Sequence, residues 1–256
     1  MTLRFDGRVF RGWQVQKNAP TVMQAFQDAL EAVLKHRPDV KGCSRTDSGV
    51  SAMTYCVSFI TDNRIPCERL IPALNVKLPP TIAATACREA PPDFHARYSC
   101  RGKRYCYRIL NTAVRDPFYE GLALHIPHRL NAGFLNAQAR QFIGRHDFAA
   151  FQNSGATVLD TVRTVFDASV TRNGDLIEFS VAGDGFLYNM VRIMAGTLLD
   201  IAQGSLAAGS IPEIIASRDR GRAGMTAPAR GLMLTDVFYD DFSGANFDIP
   251  TGARTD

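Results

Sequence analysis

The chain has 256 residues, 46% of them hydrophobic and 21% charged, with a formal net charge of +4 and a pI of about 8.8. That is enough apolar material for one large domain or two small ones, and no run of eighteen apolar residues is present to cross a membrane as a helix. The opening Met1-Thr2-Leu3-Arg4-Phe5-Asp6 lacks an apolar signal segment, and the six cysteines form no Cys-x-x-Cys pair, so they read as reduced, mostly buried thiols of a cytoplasmic protein.

In chain order, Thr2 to Asp6 reads as a strand, followed by a turn bracketed by Gly7 and Gly12 that carries the sole tryptophan, Trp13. Thr21 followed by Gln24 is a capping-box signal. Val22, Phe26, Ala29, Leu30, Val33 and Leu34 then fall at helical spacing. Tyr55 to Thr61 alternates as a strand, Glu68 to Leu74 predicts a short helix, and Leu78-Pro79-Pro80 ends it. Ile82 to Arg88 is a further strand. Ala90-Pro91-Pro92-Asp93 is the best linker.

Beyond the linker, Lys103 to Leu110 is strongly β-prone. Its period of two places Tyr105, Tyr107 and Ile109 on one face and Arg104, Cys106 and Arg108 on the other. Asn131 caps a helix whose apolar positions are Phe134, Leu135, Ala139, Phe142 and Ile143. Val162 to Thr171 and Leu176 to Ala182 form a hairpin around Asn173-Gly174. Met190 to Gln203 is an apolar helix closed by Gly204, and Leu232 to Tyr239 is the last strand. The expected organisation is an N-terminal α+β half over 1–92, a C-terminal α+β half over 93–242, and a loose tail over 243–256.

Charge is clustered. From His95 to Arg108 there are five cations (Arg97, Arg101, Lys103, Arg104 and Arg108) and no acid. Arg4, Arg8, Arg11 and Lys17 have only Asp6 as a close counter-charge, and Arg218, Arg220, Arg222 and Arg230 only Asp219. Such clustering fits a phosphate-rich partner, although any one cluster also fits a solvated face.

Several chemistries find no support. No Gly-x-x-x-x-Gly-Lys loop or Gly-x-Gly-x-x-Gly turn is present, nor a serine nucleophile elbow. His125 and His128 lack a local acid or cysteine partner for a zinc site. What stands out is Gly42-Cys43-Ser44-Arg45-Thr46-Asp47-Ser48-Gly49-Val50. It holds one acid and one base, two residues apart. A carboxylate beside a guanidinium is kept ionised and can serve as nucleophile or base. Asp47-Ser48-Gly49 also matches the tripeptide of aspartic proteases, but those need a second carboxylate, and Asp160-Thr161-Val162 lacks the glycine.

These segments together resemble the tRNA pseudouridine synthase A family. The likeness rests on Phe5-Asp6-Gly7 with Gly12-Trp13-Gln14-x-Gln16, on Arg45-Thr46-Asp47-x-Gly49-Val50, and on Leu74-Asn75-x-x-Leu78-Pro79. It continues through Asp93-Phe94-His95-Ala96-Arg97, Lys103-Arg104-Tyr105-x-Tyr107, His146-Asp147-Phe148, Phe186-Leu187-Tyr188-Asn189-Met190-Val191-Arg192 and Gly231-Leu232-x-Leu234. Ser44, Ser48 and Ser51 stand where that family usually has Gly, Ala and His, and Asn189 and Ile193 also depart from it.

The resemblance implies an α+β fold of two similar halves, with mixed or antiparallel sheets and a positively charged cleft between them. It implies a homodimer that acts on tRNA without metal or organic cofactor, converting uridine to pseudouridine in the anticodon arm at positions 38 to 40. It makes Asp47 the nucleophile, leaving open attack on uracil C6, on ribose C1′, or passage through a glycal. Arg192 would steady the Asp47 carboxylate, and Tyr105 would lie under the uracil with Leu232 closing the other side. Arg45 would act when the base leaves the stack. Arg97, Lys103, Arg104 and Arg11 would follow the RNA backbone. The alternative is a catalytically silent tRNA-binding module acting as an RNA chaperone.

Overall fold

The computed structural model describes residues 1–155 and 158–239; the expected loose tail lies outside them. Along the chain run β1 (Thr2–Phe5), α1 (Val22–Leu34), β2 (Lys41–Gly42), β3 (Ser51–Ser58), α2 (Cys67–Lys77), β4 (Ile82–Ala86), β5 (Gly102–Leu110) and β6 (Leu124–His125). Then follow α3 (Ala132–Ala139), β7 (Gly144–Asp147), β8 (Val162–Asn173), β9 (Leu176–Gly183), α4 (Met190–Ala202), α5 (Ile211–Ser217) and β10 (Leu232–Phe238). The architecture is α+β, and no described helix is long and apolar enough to cross a membrane.

The described chain divides into two units. The first comprises Met1–Arg101 and returns from Met233 onward; the second is Gly102–Leu232. The sequence places the division at residue 92 and the last strand in the second half. The structure keeps 93–101 with the first unit, where the Tyr239 hydroxyl donates to the Ala96 carbonyl at 2.5 Å and the Arg101 N–H to Phe238 at 2.9 Å.

In the first unit the strands run in the order β4-β1-β3-β10, with β2 beside β3. β1 is antiparallel to both β3 and β4, whereas β10 is parallel to β3, pairing Met233 with Ser51 and Leu234 with Ala52. α1 begins where the Thr21 hydroxyl accepts the Gln24 N–H, and it buries Val22, Phe26, Ala29, Leu30 and Leu34. A stripe at this spacing faces one side of a helix and is removed from water. β3 starts earlier than its alternation predicts. Ala52, Tyr55 and Val57 are its buried positions, and a register irregularity opposite Leu3 and Phe5 breaks the two-residue period.

The second unit has the antiparallel order β5-β9-β8-β7, with β6 parallel to β5. Asn173 pairs with Leu176 in the β8–β9 hairpin, and Gly174 there has φ +58°. The Asn131 side chain caps α3 by accepting the Phe134 N–H. α3 ends at Ala139; Phe142 is buried against Phe151, ring centroids 5.3 Å apart, and Ile143 is exposed. α5 and β7 were not legible in the sequence, because both are shorter than a periodicity can reveal and β7 (Gly144–Asp147) is polar throughout. The cysteine expectation also needs correction: only Cys43 and Cys106 are buried, and the other four are partly exposed.

Candidate active site

In the first unit, the loop from Cys43 to Val50 is held by backbone contacts with the segment after β1. The Trp13 N–H donates to the Thr46 carbonyl at 3.2 Å, and the Gly49 N–H donates to Phe10 at 3.2 Å. Gly12, at φ +88°, lies so close that a Cβ there would be 2.5 Å from the Thr46 oxygen. Gly7 is closer still, its Cβ position falling on the Val50 carbonyl, while its N–H donates to the Ser51 hydroxyl at 2.9 Å. Ser51, a departure from the family pattern, thus fixes the loop's exit.

Beneath the loop, Tyr55 donates to the Ser44 carbonyl and packs on Trp13, ring centroids 4.3 Å apart. Inside the turn, the Val50 N–H bonds the Asp47 carbonyl at 3.2 Å. Asp47 is partly exposed and Arg45 exposed. The side chain of Asp47 is therefore offered from a backbone fixed on both flanks.

In the second unit, Tyr105 lies on β5, only 6% exposed, opposite Val181 of β9. Its ring meets the Phe186 ring edge-on at 5.3 Å. Tyr107, two residues on, is fully buried and donates its hydroxyl to the Pro228 carbonyl at 2.9 Å. Burial holds that phenol well above the usual tyrosine range, so Tyr107 is a structural aromatic. Arg192 lies in the first turn of α4. Its Nε donates to the Ala227 carbonyl at 2.7 Å and Nη1 to Asn189 Oδ1 at 2.6 Å. Asn189, another departure, precedes α4 at φ +60°, a conformation asparagine tolerates, and there it orients the guanidinium. Leu232, 7% exposed, opens β10.

The cations divide in two. Arg104 and Asp167 both sit opposite Ala182 in the β5-β9-β8 sheet and form an ion pair at 2.7 Å. Arg108 pairs with its cross-strand neighbour Glu178 at 2.8 Å. These two balance the sheet surface. Arg11 and Arg97 are exposed and Lys103 partly so. Next to Arg97 stands Tyr98, 77% exposed, with the guanidinium over its ring and the His95 ring 4.3 Å away. An aromatic this exposed beside an arginine is a side chain on which a nucleobase can stack. Its only signal in the sequence is an aromatic inside a basic run.

Asp147, from the His146-Asp147-Phe148 segment, turns out to be structural. It accepts from the Thr161 hydroxyl at 2.5 Å and the Ala149 N–H at 3.1 Å, and it pairs with Arg218 at 2.9 Å. The Thr161 hydrogen bond, then the Ala149 N–H and Arg218, hold its carboxyl below the usual range. Beside it opens a basic recess of about 510 Å³ lined by Arg140, Arg145, His146 and Arg218 among others. None of the site residues named from the sequence lines that recess.

A loop fixed on both flanks presents the partly exposed Asp47 two residues from the exposed Arg45, residue types suited to acid–base or nucleophilic work. A family model described as tRNA pseudouridine synthase matches residues 1–99 and 138–240. Proteins named tRNA pseudouridine synthase A from Acetivibrio thermocellus and Ruminiclostridium cellulolyticum are each 43% identical to this chain, over 93% of it and 98% of their own lengths. One from a Thermoanaerobacter species is 40% identical with the same coverage. The chain belongs to the tRNA pseudouridine synthase family and is an isomerase.

Proposed function

We propose that the protein isomerises uridine to pseudouridine in the anticodon arm of tRNA, at positions 38 to 40, with Asp47 as the nucleophile. The reaction breaks the bond from C1′ to N1, turns the uracil and rejoins it through C5. The hydrogen on C5 is lost to solvent and N1 gains one. The observation that carries the reading is the Asp47 loop, held at Thr46 and Gly49 by the segment from Phe10 to Trp13 in a chain of this family. Tyr105 stacks under the base and Leu232 bounds it. Arg192, held by the Ala227 carbonyl and Asn189, is the guanidinium this reading assigns to the reaction. Arg11, Arg97 and Lys103 follow the phosphates, whereas Arg104, expected from the sequence to join them, is taken up by Asp167. The test is tritium release from tRNA labelled at uracil C5: release in proportion to pseudouridine formed supports the reading, and tight tRNA binding without release marks a silent RNA-binding module instead.

The same reading carries a homodimer and a cytoplasmic location. A solution mass near twice 28.1 kDa checks the dimer.

Arg45, exposed beside Asp47, takes the place of the uridine when it leaves the stack, a step that costs a few kcal/mol in a paired stem. Arg45→Ala is expected to lower kcat/KM on folded tRNA at least about tenfold more than on a short unpaired oligonucleotide; steady-state kinetics on the two substrates check it, and equal losses count against this role.

Tyr98 gives the RNA a stacking surface away from the reacting base. Removing one base–aromatic stack costs about 1–3 kcal/mol, so Tyr98→Ala is expected to raise the tRNA dissociation constant about fivefold or more. Filter binding at fixed salt measures it, and an unchanged constant rules the contact out.

A further inference from the structure

We propose that Cys67 and Cys87 are a dithiol modification site that closes to an intramolecular disulfide when the protein meets a small-molecule disulfide oxidant. The two sulfurs are 3.0 Å apart, inside ordinary contact for unbonded sulfur and about 1 Å from bonding distance. Both side chains are partly exposed. Cys67 is the first residue of α2 and Cys87 follows β4 directly.

These two elements are already tied together. The Asn75 side chain accepts the Ala84 N–H at 2.8 Å and donates to the Ala84 carbonyl at 2.9 Å. The two elements that carry the thiols are thus held together independently of the cysteines.

The chemistry balances with one oxidant molecule. Cys67, at the helix start where backbone N–H groups point outward to a negative charge, attacks one sulfur of the small disulfide and releases one small thiol. Cys87 loses its proton and attacks the Cys67 sulfur, releasing the second. Two protein thiols are oxidised and one disulfide is reduced to two thiols. Burial pushes the Cys87 thiol up to about 12, which makes it the second sulfur to react rather than the first. The product would pin the start of α2 to the end of β4 at the sheet edge.

The experiment treats the reduced full-length protein with oxidised glutathione, blocks remaining thiols with an alkylating agent and digests with trypsin. The expected product joins the peptide 65–69 to the peptide 78–88, two hydrogens lighter than their sum and restored by dithiothreitol. Oxidation is expected to raise the melting temperature by about 5–10 °C in the native chain and not in Cys67→Ser. Cys87→Ser is expected to retain glutathione on Cys67, because the resolving sulfur is gone. Recovery of both peptides alkylated, or of glutathione left on Cys67 in the native chain, overturns the proposal.

Discussion

Asp47→Asn is expected to abolish isomerisation, lowering kcat by about 10⁴-fold or more, while the variant still binds tRNA and melts as the native chain does. Asparagine has almost the same shape as aspartate. The loop is fixed by main-chain contacts, from Trp13 to Thr46 and from Gly49 to Phe10, and the substitution touches neither. What disappears is the negative charge and the nucleophilic oxygen pair, which an amide does not replace. Single-turnover measurement of pseudouridine in tRNA, beside a binding isotherm and a thermal melt, separates chemistry from folding and affinity. Turnover within tenfold of the native chain would remove Asp47 from the reaction.

Gly12→Ala should produce the second large effect, from a residue that takes no part in the chemistry. Gly12 is at φ +88°, and its Cβ would stand 2.5 Å from the Thr46 carbonyl oxygen and 3.2 Å from the Asp47 carbonyl carbon. Both are backbone atoms, so no side chain can swing aside. Either the loop moves or the Phe10 to Trp13 segment does, and the Trp13 bond to Thr46 weakens in both cases. A displacement of about 1 Å at a reacting group costs on the order of 10²-fold in rate, and the forced contact with the strained dihedral costs about 1–3 kcal/mol of stability.

Gly209 separates the two causes. It has φ +80° with nothing within 4 Å of its Cβ position, so Gly209→Ala carries the dihedral cost without the clash. The expected outcome is a kcat loss confined to Gly12→Ala, with KM for tRNA little changed. Equal kcat in the two variants would show that loop placement does not depend on Gly12.

Much of the fold was legible because its signals are local. Thr21, the apolar stripe of α1 and the turn at Asn173-Gly174 are read within a few residues, and the structure places α1, the hairpin, β5 and α4 close to the predicted bounds. β3 was shifted by a register irregularity against β1, and that depends on a partner strand no local window contains. α5 and β7 were too short to show a period.

For the site, the residue types of the Asp47 loop are legible in the sequence alone. Asn189 and Ser51 looked only like departures from a pattern. In the structure one orients Arg192 and the other receives the Gly7 N–H. The basic run around β5 looked uniform, but Arg104 and Arg108 are matched by Asp167 and Glu178, acids distant in the chain, which leaves Tyr98 with Arg97 as the more exposed part of it.

By itself the sequence determined the family and the elements with strong caps and periodicity, and it singled out the Asp47 loop, because each is written in neighbouring residues. Tertiary structure alone decided how that acid is presented. The parallel pairing of β10 with β3, the approach of Gly12 to the Asp47 loop and the matching of arginines with distant carboxylates all join segments far apart in the chain. Such contacts arise from packing and charge in three dimensions, for which a linear sequence has no spacing rule.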